Sequence, residues 1–355
     1  MASPTVPSTM RAWTYSTRGE YRQVLKLNEI PAPNPPVGGN VIVKIAYAVV
    51  NPGDVKLMRL IPTLLRQKNS IPGTEYSGVI FARGPSATDN LSIGTRVFGM
   101  LSREYLMSGI GVLCEYVLLD PKKVMVSPVP QNTSLEEASA LPTAALLAWH
   151  ACVRGSIPLS NNYRVLVNGA SGGCGSMFVQ AVLAQGAKEV IGTCSATNLE
   201  LVKSLGASRV IDYQAIGPLP EYLAREYGAP DQQFDFILDT VGSQNLYTNS
   251  PKYLREGGIF MNIGDYTNGT VITALCWLLN IIQPTWLGGT PRKYVMFSGN
   301  VDLKGADWAV RYIAEGKLKA VIDKSYAFEE VLDVMDLVDT KRVKGRLVIK
   351  VGDVI

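Results

Sequence analysis

The residues with the plainest chemical meaning are Val165-Leu166-Val167-Asn168-Gly169-Ala170-Ser171-Gly172-Gly173-Cys174-Gly175-Ser176. An apolar strand core runs into a turn without bulky side chains, then into the helix-like run Met177-Phe178-Val179-Gln180-Ala181-Val182. A strand, turn and helix in that order let backbone N–H groups at the helix N-terminus approach a pyrophosphate. Ala170, Ser171, Gly172, Gly173, Cys174 and Gly175 are therefore expected to bind a dinucleotide. Ala170 stands at the first glycine of the usual G-x-G-x-x-G, and Gly172 and Gly175 stand at the second and third. Gly169-Ala170-Ser171-Gly172-Gly173 also fits the G-x-S-x-G elbow of serine hydrolases. In those enzymes the histidine follows the nucleophile, whereas the sole histidine, His150, precedes Ser171. No Gly-Lys-Ser/Thr follows Gly175, which excludes a mononucleotide phosphate loop.

An NAD site would place Asp or Glu about twenty residues further on, where the carboxylate binds the ribose diol. Here the second strand ends Gly192-Thr193-Cys194-Ser195-Ala196-Thr197-Asn198, without a carboxylate. Ser195, Thr197 and Asn198 can donate hydrogen bonds to a 2′-phosphate, and Tyr213, after the next strand, can add its hydroxyl. NADPH is the expected coenzyme. Ser, Thr and Asn also cap helices, and one residue can do both.

A single histidine removes multi-histidine zinc sites by counting. His150 itself sits in the apolar run Leu146–Cys152 and reads as a packing residue without a role. The five cysteines form no C-x-x-C pair and are odd in number, which argues against a disulfide framework and for a reducing compartment. The leader MASPTVPSTMR lacks the apolar core of a secretory signal, so the expected location is the cytosol. Val271–Ile282 is interrupted by Thr273 and Asn280 and followed by Gln283 and Pro284, too short for the ~20 apolar residues of a bilayer span. A net charge of +4, from 34 basic and 30 acidic side chains, offers no nucleic-acid stripe. The expected partner is a small molecule.

Those residues need elements to hold them. A length of 355 residues predicts two domains at roughly 100–200 residues each. From Met10 to about Pro130, short apolar runs alternate with Gly and Pro: Val41-Ile42-Val43, Val79-Ile80-Phe81, Arg96-Val97-Phe98, Tyr116-Val117-Leu118 and Val124-Met125-Val126. This half reads as mostly β and barrel-like. After Ser134 the period becomes helical. Strand cores then recur at Val165-Leu166-Val167, Val190-Ile191, Val210-Ile211, Phe236-Ile237-Leu238 and Ile259-Phe260-Met261, with helical stretches between several of them. That alternation predicts βαβ units and a doubly wound parallel α/β sheet. Beyond Ser298, the amphipathic run through Trp308, Val310, Arg311 and Ile313 and the strands at Val321-Ile322-Asp323 and Leu347-Val348-Ile349 are expected to rejoin the first domain.

With these residues in view, the chain resembles the medium-chain dehydrogenase/reductase superfamily, in particular its zinc-independent quinone-oxidoreductase branch and the fungal trans-acting enoyl reductases. The matching segments are Val50-Asn51-Pro52-Gly53-Asp54-Val55-Lys56, Asn168–Gly175, Gly192–Ser195, Leu205-Gly206-Ala207, Val210–Tyr213, Asp239-Thr240-Val241-Gly242 and Lys344–Ile349. They run over nearly the whole length. The resemblance implies a GroES-like catalytic domain from residues 1–131 and 298–355, with a Rossmann NADPH-binding domain, residues 132–297, inserted. Zinc-dependent members would have Cys near position 51 and Gly-His-Glu after it, where this chain has Asn51 and Gly73-Thr74-Glu75. No metal is expected, and reduction of a polarised double bond replaces alcohol oxidation as the natural chemistry.

Residue-by-residue matching implies that Lys56 either stabilises the developing oxyanion or holds the nicotinamide ribose. Asn51 and Thr143 join it as cleft residues, and Asp54, Ile263 and Lys344 are placed on the cofactor. Many quinone reductases carry Tyr where Lys56 stands, whereas the trans-acting enoyl reductases look like Asn-Pro-x-Asp-x-Lys here, which points to a polyketide-type enoyl group, carried on a synthase. Two departures stand out. The threonine of the family's Leu-Thr-Ala is Leu147, so a hydroxyl is lost unless Thr143 supplies it. Relatives' Ser-Thr-Arg-Asn is Ser195-Ala196-Thr197-Asn198, which removes an arginine from the 2′-phosphate site. Val271–Leu287 matches a variable substrate flap for an apolar substrate. The alternatives are a general quinone or enone oxidoreductase, and a non-reductive tailoring or binding protein on the same fold, as monomer or homodimer.

Overall fold

In the computed structural model, residues 5–157, 163–264, 270–296 and 301–354 are described. The chain divides into two units, Met1–Leu146 with Asn300–Ile355, and Leu147–Gly299. The first boundary of this division falls inside the helix Pro142–Gly155. Sequence period changes near Ser134, but the short helix Leu135–Ser139 that follows packs on strands of the first unit, with Ser77 Oγ donating to Leu135 O (2.5 Å).

The first unit is built from β-branched and aromatic runs cut by Gly and Pro, the composition that favours strands. β1 (Thr9–Thr14) and β2 (Lys26–Pro31) form an antiparallel pair. β3 (Val41–Val49), β4 (Glu75–Arg83), β5 (Arg96–Met100), β6 (Tyr116–Leu119) and β7 (Met125–Pro128) make the larger sheet, in which β3 pairs with β4 and with β6. Its core includes Val43, Ile45, Tyr76, Ile80, Val97 and Val117, all buried. Between β3 and β4 lies the helix Pro52–Leu60, started by Asn51 and by proline at its first position, where the missing N–H is no loss.

The second unit is a six-stranded parallel sheet. β8 (Arg164–Asn168), β9 (Glu189–Cys194), β10 (Arg209–Asp212), β11 (Phe234–Asp239), β12 (Leu254–Asn262) and β13 (Lys293–Met296) lie in the order β10-β9-β8-β11-β12-β13. The helices Gly173–Ala184, Leu199–Ser204 and Leu219–Tyr227 supply the first three crossovers. The order reverses between β8 and β11, and such switch points open a crevice at the strands' carboxyl ends. β13 escapes sequence reading because four residues at an edge are too few to show a period.

β14 (Ile322–Ala327) and β15 (Arg346–Lys350) return to the first unit, with β15 seated between β14 and β3. The mostly-β sheet thus includes two strands from beyond residue 300.

Gly78 on β4 tests this packing, because a Cβ there would lie 2.1 Å from the carbonyl oxygen of Lys44 across the irregular β3–β4 pairing. Gly78→Ala is expected to destabilise the protein by about 2 kcal/mol, within the range for overpacking. Thermal unfolding checks it, and an unchanged melting temperature contradicts the close approach of β3 and β4.

Candidate active site

In the second unit a buried carboxylate shapes the glycine turn. Asp239, at the end of β11, is 1% exposed and accepts hydrogen bonds from Asn168 Nδ2 (2.9 Å) and the backbone N–H groups of Val241 (3.0 Å), Gly242 (3.1 Å) and Ser243 (2.7 Å). Burial pushes its carboxyl above the ordinary carboxylate value, and these four donors oppose the shift. Asn168 Oδ1 in turn accepts from Thr193 Oγ1 (2.6 Å), whose oxygen accepts Gly169 N–H (3.0 Å). The ends of β8, β9 and β11 are thereby locked together at the switch point.

The turn needs three glycines for three reasons. Gly169 has φ +79°, and a Cβ there would meet Thr240 Oγ1 at 2.5 Å. Gly175 lies 2.1 Å, from its would-be Cβ, from Gly169 O, so the helix can start only against a bare backbone. Gly172, the residue before the helix, has an ordinary φ of −78° and 3.5 Å of clearance. Neither conformation nor packing requires glycine there, which is what a ligand approaching the helix N-terminus would require. The fingerprint is therefore Gly169-x-x-Gly172-x-x-Gly175. Ala170, at the first glycine of the usual pattern, fits because it faces Gly192, whose Cβ would come within 2.9 Å of it. Gly169 is the turn residue that the G-x-G-x-x-G template overlooks.

Beside the turn, Asn198 Nδ2 donates to Ser171 Oγ and Ser195 Oγ (both 3.3 Å), and Ser195 Oγ lies 3.1 Å from Thr197 Oγ1. The backbone of Tyr213 joins them by donating to Cys194 O (3.2 Å), and its ring is half-exposed. The nearby carboxylate of Asp212, paired with Cys194 in the sheet, accepts Gln214 N–H (3.0 Å). Ile263 N–H is bonded to Asp239 O (3.0 Å), and Gly173 and Cys174 open the helix Gly173–Ala184. A helix N-terminus with one unobstructed glycine, next to hydroxyls and an amide, fits a dinucleotide.

In the first unit, the matched residues gather around Glu75, a carboxylate with 0% exposure at the start of β4. Its Oε1 accepts Asn51 Nδ2 (2.7 Å) and its Oε2 accepts Thr143 N–H (2.8 Å). Asn51 Nδ2 also donates to Thr74 Oγ1 (3.3 Å), while Arg346 Nη1 donates to Asn51 Oδ1. Thr143 Oγ1 donates to Met100 Sδ (3.1 Å). Asp54, which the resemblance places on the cofactor, is 3% exposed, and its carboxylate accepts Asn51 N–H (2.8 Å). In this structure it caps the helix Pro52–Leu60. Burial and the charge of Glu75 push its carboxyl up to about 7, against the N–H groups of Asn51 and Gly73 and the guanidinium of Arg346. Lys56 is half-buried on the same helix, and Lys344 is exposed just before β15.

Glu75 and Arg346 are the residues that spacing alone misses. Arg346 and Asn51 are 295 positions apart, so only a folded sheet can join them.

The sequence matches the family model described as Zinc-binding dehydrogenase over residues 205–349, and the Alcohol dehydrogenase GroES-like domain over residues 38–131. A medium chain reductase, pydE, of Acremonium sp is 35% identical over 367 residues, covering 97% of this chain and 99% of the relative. The chain belongs to the medium-chain dehydrogenase/reductase superfamily. A trans-enoyl reductase, pgmF, of Aspergillus terreus is 30% identical, covering 99% of each chain. Among solved structures, an NAD-dependent alcohol dehydrogenase has a TM-score of 0.78 at 26% identity, covering 97% of this chain and 100% of that one. The quinone oxidoreductase of Coxiella burnetii shares the fold, with a TM-score of 0.75 at 23% identity over 96% of this chain and 99% of that one. Membership makes the protein an oxidoreductase of a superfamily that uses pyridine nucleotides.

Part of the superfamily binds zinc, but the residues here do not fit that ion. At the two positions where the zinc-dependent pattern has Cys and His, Asn51 and Thr74 are hydrogen-bonded to each other, and a guanidinium binds the Asn51 oxygen. Neutral amide and hydroxyl groups beside a fixed cation are a poor donor set for Zn²⁺. No cluster of three His, Cys, Asp or Glu side chains able to hold a metal occurs among the described residues. Nor is any helix among them long and apolar enough to cross a membrane. The helix Thr270–Ile282, in the segment matched to a substrate flap, exposes Ile272, Leu275, Leu278 and Ile282, so these four are not core.

Two outcomes follow. Gly172→Val is expected to weaken dinucleotide binding by about tenfold or more, the effect of ~1.4 kcal/mol, without lowering the melting temperature. Gly175→Ala is expected to lower both, and fluorescence titration with thermal unfolding separates the two. The Asp54 carboxyl retains its proton in the folded protein up to about 7 but loses it near 3.8 when unfolded. Its contribution to stability therefore falls as pH rises from about 4 to about 7 and levels off above. The unfolding free energy of the wild type relative to Asp54→Asn should decline between pH 5 and 8, values chosen to straddle about pH 7. A constant difference contradicts the buried carboxyl.

Proposed function

We propose that the protein is a metal-independent, NADPH-dependent reductase of an activated C=C bond, acting on an enoyl or enone group in secondary metabolism. The observation that carries this reading is the closed Asn51–Thr74–Glu75–Arg346 cluster at the position of the zinc ligands. Without a Lewis acid to bind an alkoxide, conjugate reduction needs only a hydride source, a donor at the carbonyl oxygen and a proton. The relatives named medium chain reductase and trans-enoyl reductase support the enoyl type, and a polyketide-type acyl group on a carrier is the substrate class proposed.

NADPH, when bound, supplies the hydride. The bare backbone of Gly172 and the N-terminus of the helix Gly173–Ala184 would hold its pyrophosphate. Ser195, Thr197 and Asn198, with Tyr213 beside them, would donate to the 2′-phosphate, and the Asp212 carboxylate next to Tyr213 is engaged by Gln214 N–H. Lys56 places its ammonium near the substrate carbonyl, where negative charge grows as the β-carbon is reduced, and Asn51 and Thr143 line that end of the site. Residues 1–131 and 298–355 would supply the catalytic lobe and 132–297 the nucleotide lobe.

Purified protein is tested with NADPH and NADH against enones, quinones and enoyl thioesters, following loss of the reduced nicotinamide and the product mass. The expected result is NADPH consumption with an enone or enoyl thioester and a product heavier by one hydride and one proton. Lys56→Ala should lower kcat by about 10²-fold, the scale of one lost oxyanion donor, with NADPH affinity retained. Turnover with quinones alone, or bound NADPH without turnover, overturns the enoyl reading.

A further inference from the structure

We infer that Arg346 is a positioning residue of this site: its guanidinium selects one orientation of the Asn51 amide and, with Glu75, fixes the Asn51–Thr143 pair. The inference rests on the function proposed above. Arg346 opens β15, and its side chain is 9% exposed, while Glu75, 3.3 Å from Nη2, is 0% exposed. Among the ion pairs of the described residues, no other has both partners so deeply buried.

The geometry makes the amide directional. Asn51 Oδ1 accepts from the guanidinium, and Asn51 Nδ2 donates to the carboxylate of Glu75 at 2.7 Å. A flipped amide would turn NH₂ against a cation and C=O against an anion, losing two charge-assisted bonds at once. The second oxygen of Glu75 then holds Thr143 N–H at 2.8 Å, so one cation sets a chain of contacts reaching both cleft residues. The same chain meets the helix that carries Lys56, because the Asn51 N–H is held by Asp54.

Stability alone is a poor explanation for this arginine. Its Nε and Nη2 are buried without a hydrogen-bond partner, Nη2 lying off the bonding direction of Glu75 despite its distance. Buried ion pairs are often no more stabilising than apolar replacements, and an incompletely bonded one less so. The charged groups facing it are Glu75 from β4 and Asp54 from the helix Pro52–Leu60.

Arg346→Met keeps bulk without charge, Arg346→Lys keeps charge without the planar fork, and Asn51→Ala removes the group to be oriented. With an enone that the wild type reduces, Arg346→Met and Asn51→Ala should each lower kcat by about 10²-fold, with NADPH affinity within about threefold. The double variant should be no more than about threefold worse than either, because both disable one unit. Multiplied losses, or an unchanged kcat in Arg346→Met or Arg346→Lys, overturn the inference. Side-chain amide NMR of ¹⁵N-asparagine protein reads the orientation without turnover: the Asn51 pair, assigned by Asn51→Ala, should lie away from the solvent-exposed amides in the wild type and move towards them in Arg346→Met, its two protons staying distinct because rotation about the amide C–N bond is slow. A wild type inactive on every olefin but showing this change refutes the reductase reading and keeps the positioning role. An unchanged Asn51 signal refutes the role whatever the activity. If Arg346→Met does not fold, Arg346→Lys decides by the same two readouts.

Discussion

Glu75 is a carboxylate shut away from water, and its two oxygens tie together elements of the first unit. A buried anion of this kind is tolerable only if donors surround it. Here they come from Asn51 at the start of a helix and from the backbone of Thr143 in another, while Arg346, on β15, supplies the opposite charge. Packing of the mostly-β sheet brings these elements close, while the need to satisfy one charge determines how their side chains face. A neutral residue at position 75 would leave Arg346 as an uncompensated buried cation.

The nucleotide half repeats this principle with Asp239. That carboxylate collects Asn168 and three consecutive N–H groups, and Asn168 passes the constraint through Thr193 to Gly169. The turn after β8 is thus held from behind by an internal anion. The glycines then do the remaining work: Gly169 by its backbone angle, Gly175 by proximity and Gly172 by leaving room.

Local features were legible in the sequence because they depend on neighbours along the chain. The strand cores from Val165 to Met261 appear where the alternation places them, and the turn after β8 opens a helix as its small residues imply. What escaped depends on contacts across the fold. Ala170 looks like a defect in the fingerprint until Gly192 is seen opposite it. The bond from the Asn51 N–H to the buried carboxyl of Asp54 is likewise invisible in positional matching. The pairing of Arg346 with Asn51 has no local signature at all.

The position of β15 between β14 and β3 has a consequence for synthesis. Residues 147–299 form a contiguous unit that can collect its own contacts soon after leaving the ribosome, whereas the sheet begun by β3 and β4 waits for a strand translated some 300 residues later. Arg346 begins that late strand. A nascent chain therefore holds Glu75 without its cation until residue 346 has been translated, and the first unit acquires this charge balance only then.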